Sequence, residues 1–129
     1  MELEKYFYYV DETAAWLKSR IAVQPEIAVV LSGGLGDFLD SVEDKVVISS
    51  GDIPNFPKTR VEGHKGQIAF GKFEGKGIAV LSGRFHYYEG HQPQSIVFPY
   101  FVLGALGTKY LLTTNAVGGV NKGFKPGDV

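Results

Sequence analysis

Between Gly83 and Gly90 the chain gathers Arg84, His86, Tyr87, Tyr88 and Glu89, directly after the apolar run Ile78-Ala79-Val80-Leu81. A strand that ends in a fixed cation, a titratable imidazole and two phenols presents polar tips at the edge of a sheet, where α/β proteins hold small ligands. Arg84 and His86 stand two residues apart, so in an extended segment they face the same side. Both can then donate to one oxyanion, with phosphate the leading candidate. The alternative is an Arg84 paired to Glu89 or Glu62 beside a merely hydrogen-bonded histidine; the place of the pair after an apolar strand favours function. Tyr88 can offer its phenol to a sugar hydroxyl, whereas Tyr87, pointing the other way, reads as packing. His64, between Gly63 and Gly66, is a weaker candidate, and His91 reads as structural. Three scattered histidines without a carboxylate spacing give no metal site. No Gly-x-Ser-x-Gly elbow supports a serine hydrolase.

Two further loops have functional composition. Ile27 to Leu31 is a short apolar run that breaks into Ser32-Gly33-Gly34-Leu35-Gly36, predicting a buried strand, a glycine turn and a helix near Leu35 to Leu39. Such a loop is either a plain tight turn or an anion cradle built from backbone N–H groups and the following helix. It is no Walker loop, because the Lys and hydroxyl residue are missing, and it lacks the full dinucleotide fingerprint. Tyr110 to Thr113 predicts another strand, followed by Asn115-Ala116-Val117-Gly118-Gly119-Val120-Asn121. If the strands ending at Leu31, Leu81 and Thr113 are parallel neighbours, their three loops converge on one sheet edge.

The rest of the chain must position these loops. Phe7, Val10, Ala14, Leu17 and Ile21 recur at helical spacing, and Pro25 closes that amphipathic helix. Val46 to Ile48 predicts a weak strand, and residues 52–66, punctuated by Pro54, Pro57 and Gly63, a surface loop. Gln67 to Phe73 and Gly77 to Ser82 predict a hairpin across Glu74-Gly75-Lys76. Pro93 suits the first turn of a buried helix reaching Leu106 with Gly107 as its cap, while Pro99 is expected to kink or delay it. The 129 residues fit a single domain, 1–129. A net charge of −1 provides no general field for nucleic acid or an anionic membrane, so any anion site is local. The uncharged stretch from Gly90 to Thr108 has too short an apolar part to span a bilayer. Cysteine is absent and no charged-then-apolar leader opens the chain, so a cytoplasmic location is expected.

Ile53-Pro54-Asn55-Phe56-Pro57, Gly63-His64-x-Gly66, the Gly83 to Gly90 segment and Asn115-Ala116-x-Gly118-Gly119-x-Asn121, in this order, make the chain resemble the N-terminal half of the trimeric purine nucleoside phosphorylases. The resemblance implies an α/β fold, the N-terminal portion of the nucleoside-phosphorylase fold, with a central mixed sheet flanked by helices. It implies a purine-salvage pentosyltransferase that cleaves purine (deoxy)ribonucleosides with phosphate to free base and (deoxy)ribose 1-phosphate. Phosphate is then a co-substrate, no cofactor is needed, and the full-length form is a homotrimer. By the same resemblance Ser32, Gly33, His64, Arg84, His86 and the backbone of Ala116 bind phosphate, with His86 as the catalytic residue. Tyr88 holds the ribose, and Ala116, Val117 and Gly118 line the base. The Phe85 to Gly90 run is similar to the branch acting on 6-oxopurine nucleosides.

Two departures from the family stand out. Its glycine loop reads Gly-Ser-Gly-Leu-Gly, whereas Ser32 and Gly33 stand here in exchanged order. The expectation is weaker phosphate binding, and Val117 in place of the usual alanine tightens the base pocket. The glutamate, asparagine and further histidine that grip purine and ribose lie in the half with no counterpart here, so the 129-residue chain alone is expected to be inactive. The alternative is a non-catalytic phosphate- or nucleotide-binding fragment or pseudoenzyme.

Overall fold

The computed structural model describes residues 2–33, 35–58 and 66–129. Its elements are α1 (Leu3–Lys18), β1 (Ile27–Leu31), β2 (Glu43–Ser49), β3 (Gln67–Phe73), β4 (Lys76–Ser82), α2 (Pro93–Ala105) and β5 (Tyr110–Thr113), with 3-10 turns at Gly36–Ser41, Ser50–Asp52 and Tyr87–Glu89. The five strands form one mixed sheet in the order β2-β3-β4-β1-β5. β1 runs parallel to β4 on one side and to β5 on the other, whereas β2, β3 and β4 are joined antiparallel.

Period-two burial explains the layers. Ala28 and Val30 of β1, Ile68 and Phe70 of β3, and Ala79 and Leu81 of β4 point to one face, where they meet Val10, Ala14 and Leu17 of α1 and Phe98, Val102 and Leu103 of α2. Both helices therefore cover the same face. On the other, Leu31, Ala69, Ile78 and Val80 form a smaller cluster with Val42, Phe38 and Leu39. β1 is apolar on both faces: Ala28 and Val30 are buried beneath the helices, whereas Ile27 and Val29 are only half-buried on the other side. The β3–β4 hairpin closes on Glu74 and Gly75, both at positive φ (48° and 78°), the conformation that matches the twist of a two-residue turn.

Three expectations need correction. The segment after the glycine loop is not an α-helix but a six-residue 3-10 turn, Gly36–Ser41, with no buried residue. With Asp37, Asp40 and Ser41 competing for backbone groups and only Phe38 and Leu39 to anchor it, it has too little apolar surface to pack as a helix. Pro99 does not delay α2, which starts at Pro93 and carries Pro99 inside it, its ring buried against the core. Nor is α2 enclosed: Val97 (41 % exposed) and Phe101 (45 %) lie on its outer side. Among the described residues no helix is long and apolar enough to cross a membrane.

Candidate functional site

The pairing of β1 with β4 and β5 aligns Leu31 with Ser82 and Val30 with Thr113, so the loops after these three strands leave the sheet side by side. Gly83, at φ 92°, turns the chain out of β4 in a conformation that suits glycine, and Arg84 follows at once. The Arg84 Nη1 donates to the Thr114 carbonyl at 3.0 Å, tying the β4 loop to the β5 loop. The Ser32 N–H donates to Thr114 Oγ1 at 2.8 Å, and that hydroxyl donates to the Val30 carbonyl at 2.8 Å. Thr114 thus fastens all three loops, although its only signal in the sequence is a hydroxyl at a strand's end.

His86 is held from both ring nitrogens. Its Nδ1 lies 3.3 Å from Glu89 Oε2, and the same carboxylate oxygen accepts the His86 backbone N–H at 2.7 Å. On the other side Arg84 Nε donates to His86 Nε2 over a long 3.4 Å. A guanidinium can only donate, so Nε2 accepts and Nδ1 carries the proton toward Glu89. Foremost the His86 backbone N–H, and then its imidazole, hold the Glu89 carboxyl below the usual carboxylate range against the opposing effect of burial. Glu89 therefore orients His86, a role the sequence reading had not given it. It does not pair with Arg84: among the described residues its partner is His86, through the backbone N–H and the Nδ1 contact.

The Tyr88 ring stacks on the His86 imidazole, with centroids 4.8 Å apart and planes at 17°, leaving its phenol in solvent with the residue 82 % exposed. Tyr87 does not pack as expected; it is 72 % exposed, because the 3-10 turn Tyr87–Glu89 carries no buried residue. Ala116, Val117 and Gly118 are exposed in the irregular segment after β5, beside the Thr114 knot. Gly33 lies next to Ser32, and a Cβ at that position would meet nothing within 4 Å. His64 lies outside the described residues. His91 is buried edge-on against Phe85, in keeping with a structural place. The structure thus brings Ser32 and Arg84 together through Thr114 and His86 to them through Arg84, with Tyr88 stacked on the imidazole. This set can hold a tetrahedral oxyanion beside a hydroxylated ring.

A model of the phosphorylase superfamily matches residues 27–129. The chain belongs to that superfamily. The purine nucleoside phosphorylase 1 of Geobacillus stearothermophilus is 45% identical over 120 residues, which are 93% of this chain and 44% of that protein. Among solved structures, the Schistosoma mansoni purine nucleoside phosphorylase in complex with inosine matches with a TM-score of 0.86 at 39% identity, covering 94% of this chain and 42% of that one. Isoform 2 from the same organism, in complex with cytosine and ribose-1-phosphate, matches with a TM-score of 0.89 at 38% identity, covering 95% and 43%. The chain spans less than half the length of these relatives. Within that span the mixed five-stranded sheet with its helices is the fold they share.

Proposed function

We propose that this chain carries the phosphate- and ribose-binding part of a purine nucleoside phosphorylase. The observation that carries the reading is the convergence of Ser32 and Arg84 on Thr114, with His86 bonded to Arg84, at the carboxyl edge of three parallel strands. Arg84 supplies a permanent charge for phosphate. His86, oriented by Glu89, presents Nε2 as an acceptor for the hydroxyl of a hydrogen phosphate once the long bond to Arg84 gives way to the anion. Ser32, Gly33 and the Ala116 backbone add donors on the β1 and β5 sides, and His64 is assigned to the same anion by family resemblance. Tyr88, stacked on the His86 imidazole, is assigned the ribose in this reading. A phosphate oxygen attacks the anomeric carbon and forms the C–O bond of (deoxy)ribose 1-phosphate while the N-glycosidic bond breaks and its electron pair leaves with the purine, through an oxocarbenium-like transition state. Positioning and electrostatics carry this chemistry, with inorganic phosphate as co-substrate and no cofactor. The whole enzyme is proposed to be a cytoplasmic homotrimer acting on 6-oxopurine nucleosides.

The purine itself finds little here. Val117 is 83 % exposed, and Ala116 and Gly118 beside it are exposed too. A leaving base without protonation or hydrogen bonds leaves poorly, so the 129-residue chain alone should release no hypoxanthine from inosine. The same exposure favours, as a second reading, a phosphate-binding module without chemistry. Calorimetry with phosphate tests the shared part: the wild-type chain should bind, and Arg84→Ala should weaken binding about tenfold to a hundredfold, the worth of one or two charge-assisted hydrogen bonds. No binding by the wild type would sink both readings. A chimera carrying the portion of the Geobacillus enzyme beyond its match separates them, since turnover of inosine supports the first and phosphate binding without turnover the second.

A further inference from the structure

The geometry points to a second binding site, a cleft on the helix side of the sheet that takes an uncharged, planar nitrogen heterocycle the size of a purine base. The cleft has a volume of about 350 Å³ and lies between the first turns of α1 and α2 and the loop at residues 53–57. That is the small end of the range for small-molecule sites. Tyr6 and Tyr9 of α1, Gln94, Ser95 and Phe98 of α2, and Asn55 of the loop line it, and none of them belongs to the Arg84–His86 cluster. Among the described residues none that line it is charged, so a phosphate or carboxylate ligand would find no described cation to pair against there.

The walls are set before any ligand arrives. Tyr6 meets Phe98 edge-on at 5.5 Å, and its hydroxyl donates to the Gln94 carbonyl at 2.7 Å. Asn55 decides the polarity of the cleft. Its Nδ2 donates to Glu12 Oε2 at 2.9 Å and to Thr13 Oγ1 at 3.1 Å. A carboxylate can only accept, so the edge of the amide against α1 is the nitrogen, and among the described residues the Oδ1 of this exposed side chain takes no protein donor. The residue sits at φ 63°, in the left-handed region that asparagine adopts more readily than most side-chain-bearing residues. Aromatic walls and one acceptor suit a flat ring that brings its own N–H. The motif Ile53-Pro54-Asn55-Phe56-Pro57 gains a division of labour from this. Ile53 and Phe56 enter the core, and the Pro54 carbonyl accepts from Thr13 at 3.0 Å, whereas Asn55 and Pro57 face the cleft.

Hypoxanthine is the probe, a choice that rests on the phosphorylase reading, although the cleft itself does not. Titrated into the ¹⁵N-labelled full chain, it should shift the Asn55 side-chain amide and the Tyr6, Tyr9 and Ser95 amides to saturation. Ser95→Ala should preserve those shifts. Ser95→Leu, which fills the cleft, and Gln94→Trp, which caps it from an exposed position, should each weaken binding at least about tenfold. Hypoxanthine that moves none of these signals, or that binds the Leu and Trp variants as well as the wild type, overturns the proposal. Inorganic phosphate, titrated separately, should move Arg84 and His86 and leave the cleft signals still, so its failure would count against the phosphorylase reading and not against the cleft.

Discussion

Glu89 takes two hydrogen bonds from one residue, and its titration should report them. Its folded-state carboxyl lies below the ordinary carboxylate value, chiefly through the His86 backbone N–H. A depressed carboxyl contributes stability that is complete above the unfolded pKa, about 4.3 for Glu, and is lost as pH falls through the lower folded value. Urea denaturation from pH 3 to 7 should therefore show a gap between the wild type and Glu89→Gln that is constant near neutrality and shrinks below about pH 4. A gap that does not change with pH would mean that the carboxylate charge is not what His86 holds. Ser32 poses a different question. Its hydroxyl lies 3.5 Å from Thr114 Oγ1, and position 33 has open space for a side chain. Gly33→Ser should therefore fold normally and tighten phosphate binding by about twofold to tenfold, the worth of one neutral hydrogen bond, as read by calorimetry. Unchanged affinity would show that the exchanged order costs nothing. Arg84 and His86 could be read from spacing because both face one side of an extended segment. Thr114 could not, because its importance comes from three strands meeting and not from its neighbours in the chain.

Strands and helices were legible wherever local pattern and tertiary environment agree. The run Ile27–Leu31 is β1 residue for residue, since a five-residue apolar run between breakers can only be a buried strand once two parallel neighbours cover it. The hairpin and α1 follow from period two and period 3.6, although α1 stops at Lys18, short of Ile21, and Lys76 belongs to β4 and not to the turn. Patterns failed where the outcome depended on what lies opposite. Nothing in Leu35 to Leu39 reveals that too little surface waits to receive a helix, and nothing around Pro99 reveals that burial of its ring outweighs one missing hydrogen bond. Glycines separate the two situations. A Cβ on Gly77 of β4 would run into the Gln24 backbone carbonyl, which cannot yield as a side chain could, while the Glu26 N–H donates to the Gly77 carbonyl at 2.9 Å. Gly77→Ala should cost about 1–3 kcal/mol, as overpacking does. In α2, Gly104 has nothing within 4 Å of a would-be Cβ, so Gly104→Ala should stabilise by about 0.5–1 kcal/mol. Thermal unfolding should show the two shifts with opposite sign, and equal signs would contradict this packing of β4.

The two edges of the sheet are built differently, and this bears on how the whole molecule behaves in solution. β2 forms one edge with Glu43, Asp44 and Lys45 at its start, a register shift between Glu43 and Val46, and Asp44 at φ 51°, all devices that discourage a further strand. β5 forms the other with Tyr110, Leu111, Leu112 and Thr113, uncharged, regular and exposed throughout. Tyr110 and Leu112 share a face with Ile27 and Val29 of β1, so edge and face together form an apolar patch. An unblunted apolar edge next to such a face is a template for association. In the relatives more than half of each chain lies beyond the matched portion, and this patch is where further structure can pack. Sedimentation velocity of the 129-residue chain should accordingly show concentration-dependent association. Leu112→Lys, which places a charge on the half-exposed patch (53 %) without entering the core, should shift the distribution toward monomer, whereas Val47→Lys on the β2 edge should leave it unchanged. A wild-type chain that stays monomeric at every concentration would mean that β5 presents no usable edge and that the exposed segment 115–129 screens it.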